Sequence, residues 1–77
     1  MSLDKQLQQL EDNLVKQQAA HEQLLALSKR KLDAMRKANH QDMIKCLQLE
    51  NEQVQAISKL ETQRLELVAQ LTLMIEH

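Results

Sequence analysis

Glycine, proline and aromatic residues are all missing from the 77 positions of this chain, and that absence constrains the fold more than anything the chain contains. Tight turns, phosphate-cradling loops and β-hairpins each need a residue that tolerates positive φ or one whose φ is preset. What remains is dominated by Leu, Gln, Lys, Glu, Ala and Met, all good helix formers, with β-branched residues few and scattered. The fold class this predicts is all-α.

A chain of this length buries only about 60% of its unfolded surface when it folds alone, so a closed core with a deep substrate cavity is not expected. The sequence holds no nucleophile–base pair, carboxylate dyad or Gly-rich motif, and we read it as non-enzymatic and free of cofactors. His21 has Leu24 and Leu25 three and four residues on, so no zinc ligands converge on it. His40 belongs to a turn, His77 reads as a terminal or tag remnant, and Cys46 reads as a plain helical thiol. Ten Lys and Arg against eleven Asp and Glu leave a net charge of −1, too small to draw the molecule to nucleic acid. The basic cluster Lys29, Arg30, Lys31, Arg36 and Lys37 is interrupted by Asp33 and reads as a solvated, partly paired face. A single cysteine cannot form an internal disulfide, which fits a reducing compartment. No apolar run approaches the ~18 residues of a membrane span, and the expectation is a soluble, cytoplasmic protein.

One uninterrupted helix of this length would extend about 115 Å and would need a coiled-coil partner. An antiparallel two-helix hairpin is the favoured alternative, with helices over about 3–37 and 42–76 and a turn over about 38–41. Asn39 is a good N-cap with Asp42 three residues on, and the cations before it suit a helix C-terminus. Apolar spacing agrees. Met35 falls opposite Ile44, Leu32 opposite Leu47, Leu25 opposite Val54, Leu14 opposite Leu65, Leu10 opposite Val68 and Leu3 opposite Ile75. Polar layers pair Ser28 with Asn51, His21 with Ser58 and Gln18 with Glu61, and Lys29 and Arg30 fall near Glu50 and Glu52.

Each arm carries a second stripe: Ala20, Leu24, Leu27 and Ala34 on the first, Leu49, Ala56, Leu60, Leu67, Leu71 and Met74 on the second. Two helices need only one stripe each, so the second predicts self-association, a longer helical bundle or a groove for a partner's amphipathic helix. The partner-facing residues expected on this basis are Leu24, Leu27, Leu60, Leu67, Leu71 and Met74. Glu76 sits unfavourably at the negative end of a helix dipole, which predicts further helix, another copy or a partner over that end.

The run Leu24-Leu25-Ala26-Leu27-Ser28-Lys29-Arg30-Lys31-Leu32-Asp33-Ala34-Met35, then Ala38-Asn39-His40-Gln41-Asp42-Met43, then Glu50, Glu52, Val54, Ile57, Leu60-Glu61 and Arg64, resembles the FlgN-type flagellar export chaperones. The likeness covers about residues 7–71. It implies a cytoplasmic chaperone, without enzymatic activity, that binds the C-terminal amphipathic helix of hook–filament junction proteins. Such a chaperone prevents premature assembly and delivers its cargo to the type III export apparatus. The aromatic residue that some members present to the export gate has no counterpart here. The alternative reading is a structural coiled-coil oligomerisation module of a larger scaffold.

Overall fold

The computed structural model describes residues 3–76, so His77 lies outside the described residues. Two helices account for nearly all of them, α1 over Leu3–Arg36 and α2 over His40–Glu76. They pack side by side in a rod of 59 × 14 × 14 Å. Its radius of gyration, 17.4 Å, exceeds the roughly 11.5 Å of a globular domain of this length. A second layer is therefore absent: each helix has the other to pack on and otherwise faces outward.

The connection is built without glycine. Asn39 N–H donates to the Ala34 carbonyl at 2.9 Å and Ala38 N–H to that of Met35 at 3.1 Å, the paired bonds of a Schellman motif closing α1. The motif requires a left-handed residue, and Ala38 takes that role at φ 53°. Asn39 then caps α2, its Oδ1 accepting the Asp42 N–H at 3.1 Å. Because Asn39 itself is the cap, α2 begins at His40, two residues earlier than the sequence predicts, and α1 stops at Arg36.

Burial defines the seam. On α1 the buried and half-buried positions are Gln6, Leu10, Asn13, Gln17, Ala20, Leu24, Leu27, Lys31 and Ala34, with Ser28 half-buried beside them. On α2 they include Met43, Cys46, Glu50, Gln53, Ile57, Leu60, Arg64, Leu67, Leu71 and Met74. Both series alternate steps of three and four, the heptad spacing of a left-handed coiled coil. With the turn centred between Ala38 and Asn39, Ala20 is set level with Ile57, Leu10 with Leu67 and Gln6 with Leu71.

This seam corrects the sequence reading, which put Leu14, Leu25, Leu32 and Met35 against Leu65, Val54, Leu47 and Ile44, all of them exposed; Leu10, expected opposite Val68, does lie in the seam. Each arm is turned by one residue, about 100° of helix rotation, from that expectation. Apart from Leu10, which stays inside, and Ala56, which stays exposed, the two stripes have largely changed places. A three-residue connection capped on both sides fixes which faces meet, and polar side chains hold them there. Asn13, 2% exposed, donates Nδ2 to the Leu60 carbonyl at 2.8 Å and to Gln63 Oε1 at 2.9 Å, and its Oδ1 accepts from Gln17 Nε2 at 2.7 Å. The network leaves that buried amide fully bonded, so its burial is not penalised. Ala20 and Ala34 let the backbones approach closely where a leucine would hold them apart.

Candidate interaction face

The rotation has a consequence for the surface. The arms run in opposite directions, so a one-residue step beyond the seam turns clockwise on one and anticlockwise on the other when both are seen down the rod. Both displaced stripes therefore emerge on the same side of the hairpin. Leu7, Leu14, Leu25, Leu32 and Met35 of α1 lie there beside Ile44, Leu47, Val54, Leu65, Val68 and Ile75 of α2, all between 40% and 73% exposed. A soluble monomer's largest apolar patch is usually about 300–600 Å², and this side runs the length of a 59 Å rod. Its middle is interrupted by exposed polar residues at matching levels, Gln18 and His21 on α1 and Ser58 and Glu61 on α2.

The opposite side is more polar and cross-linked, although Ala26 and Leu49 line a shallow hollow there beside Gln23, Arg30 and Gln53. Arg30 Nε donates to Asp42 Oδ2 at 3.2 Å, and its Nη2 donates to Oδ1. Gln53 Nε2 donates to Gln23 Oε1 at 2.7 Å, and Gln63 receives Asn13 as described. The Arg30 hydrogen bond holds the Asp42 carboxyl below its ordinary pKa, against the opposing effect of desolvation. Between the two sides, Lys31 Nζ lies 2.9 Å from Glu50 Oε1 and 3.3 Å from Oε2, and Ser28 Oγ donates to Oε2 at 3.1 Å. The bond from Lys31 is the main cause that lowers the Glu50 pKa, with desolvation working against it and Ser28 adding to it. The contacts differ from those expected. Arg30 reaches Asp42 rather than Glu50 or Glu52, and Lys31, not Lys29, meets Glu50. Lys37, just past the end of α1, pairs back with Asp33 at 3.0 Å.

The six residues expected to face a partner lie in the seam. Leu67 and Leu71 are buried, and Leu24, Leu27, Leu60 and Met74 are half-buried. The groove they were expected to form is filled by the chain's own other arm, because the stripe was assigned to the wrong side of each helix. The residues left exposed are those first expected to close the hairpin. Cys46 is fully buried under the turn, while His21 and His40 are exposed. Among the described residues, no three His, Cys, Asp or Glu side chains converge in a way that could hold a metal ion. None of the described helices is long and apolar enough to cross a membrane.

Comparison with protein-family models, with curated proteins and with solved structures finds no match to this chain.

Proposed function

We propose that this chain is a helix-binding module of the flagellar export chaperone kind, and that the apolar side of the hairpin is where cargo docks. The observation that carries the reading is the row of exposed aliphatic side chains on both arms, from Leu7 to Met35 and from Ile44 to Ile75. Two parallel ridges with a shallow trough between them accept an amphipathic helix, whose apolar face supplies anchors at three- and four-residue spacing. The resemblance supplies the class of cargo, the C-terminal helix of a hook–filament junction protein held unassembled in the cytoplasm until export. No chemistry on the cargo is required of the module. A second reading, a structural oligomerisation module, is supported by the seven-residue regularity of the same side over both arms.

The test is a fluorescence anisotropy titration of labelled junction-protein C-terminal peptides with the full chain. The chain itself holds no Trp or Tyr to interfere. Saturable micromolar binding that is lost in Leu25→Asp and Leu65→Asp, with helical circular dichroism unchanged, supports the reading. Binding that survives both substitutions removes cargo from this side of the hairpin, and no binding by the folded chain leaves the structural reading.

A further inference from the structure

We propose that two copies of this chain close their apolar sides on each other in a four-helix bundle, related by a two-fold axis that runs along the hairpins. The proposal stands independently of the cargo reading, although it uses the same side.

Width favours a second hairpin over a lone helix as the occupant of this side. One helix fills the trough between the arms but leaves the outer residues of each ridge in water, whereas a second two-ridged face covers them. The area is sufficient: a face 59 Å long and 14 Å wide is on the order of 800 Å², the per-partner size of a standard stable interface. The chain's accessible surface, 6014 Å², is also about 1,200 Å² more than the roughly 4,850 Å² of a globular monomer of its mass.

Two symmetric arrangements bring the sides together, and charge separates them. An axis across the hairpins sets α1 on α1 and α2 on α2. An axis along them sets α1 of each copy on α2 of the other. Residues 1–38 carry seven Lys and Arg against five Asp and Glu, or +2, and residues 39–77 carry three against six, or −3. Only the axis along the rod brings the positive arm onto the negative one.

The same axis preserves level, and the surface is self-complementary under it. Leu14 meets Leu65 of the second copy, Leu25 meets Val54 and Leu32 meets Leu47. In the middle, His21 and Gln18 meet Ser58 and Glu61, polar against polar. The pairing written in the sequence is thus satisfied between chains at these levels; at the level of Val68 the open side of α1 carries Glu11, because Leu10 lies in the seam. The polar layer at mid-length costs stability and fixes register.

Sedimentation equilibrium of the full chain at micromolar concentration reads the assembly, and cysteine cross-linking reads its geometry. The expected mass is twice 9.0 kDa, falling to the single-chain value in Leu25→Asp with helicity kept. In a Cys46→Ala background, chains carrying His21→Cys mixed with chains carrying Ser58→Cys should oxidise to a covalent dimer, and His21→Cys alone should not. A single-chain mass overturns the proposal, as does any assembly other than a dimer. A dimer that cross-links through His21→Cys alone overturns the axis. The outcomes are separable from those for cargo: a single-chain protein that binds the peptide keeps the chaperone reading and rejects the dimer, and a dimer that binds no peptide does the reverse.

Discussion

The two sides of the hairpin differ in kind: one ties the arms together and the other leaves apolar side chains exposed. On the polar side, Arg30 and Asp42, Gln23 and Gln53, and Asn13 and Gln63 join the arms by directional bonds. On the apolar side the larger aliphatic residues lie open. A pattern that counted only apolar area would have closed the molecule the other way round. The difference teaches that in a two-helix protein, which has room for one seam, the capped turn and a few hydrogen-bonded polar residues decide what is buried. Most of the larger exposed aliphatic side chains are left on the other side.

The comparison breaks most sharply in the seam itself. Leu67 is 6% exposed, and Leu67→Ala should cost about 2–4 kcal/mol in urea unfolding, enough to threaten a fold of this size. Leu32→Ala on the open side should stay within about 0.5 kcal/mol when measured at dilutions where chains do not associate. Equal costs at the two positions would mean that the sides are not distinct.

The fold class, the hairpin, the Asn39 cap and the existence of two stripes were legible in the sequence, because helix propensity, capping and spacing are local properties. Which stripe turns inward was not, because it depends on residues that hydrophobicity scores badly. Gln6, Asn13, Ala20 and Ala34 are the buried positions of α1, two of them amides and two of them small. Spacing does not separate the stripes: both are heptad, and each is broken by polar residues, Gln6, Asn13, Gln17 and Lys31 in the seam and Glu11, Gln18, His21 and Ser28 one residue on. The opposite charges of Lys31 and Glu50, which pair across the arms, were a local hint. The six residues expected on an open face lie in the seam for the same reason, since choosing the other stripe for the seam leaves the opposite one exposed.

A smaller effect probes the amide network on which this choice rests. Asn13→Ala removes two donors and an acceptor from between the arms and should cost about 1–2 kcal/mol, read from the same urea transition. No loss at all would mean that the network contributes nothing to the choice of seam.

The turn offers a change in the opposite direction. Ala38 holds a left-handed conformation that costs a non-glycine residue about 1–2 kcal/mol. Ala38→Gly relieves that cost and gives part of it back in chain entropy, for a net gain of about 0.5–1 kcal/mol. A loss of stability would show that the turn is not closed as described.

The smallest effect expected is that of pH. Asp42 and Glu50 are both held below their ordinary values of 3.8 and 4.5. Their contribution is therefore complete above about pH 4.5 and declines as acid takes the pH down through the lowered values in the folded state. Thermal melts should show the midpoint falling below pH 4.5, with a shallower fall in Asp42→Asn and Glu50→Gln. The exposure of Arg30 and Asp42, 45% and 27%, limits this to a modest, salt-sensitive slope. A midpoint independent of pH would remove both ion pairs from the forces that hold the arms.

Cys46 carries a further consequence. Its thiol has no accessible surface and sits close to the turn, so a reagent can reach it only while the arms stand apart there. The rate of alkylation is then a clock for opening at the closed end of the rod. In excess reagent it follows how often the arms separate, and in limiting reagent it follows how much of the time they spend apart.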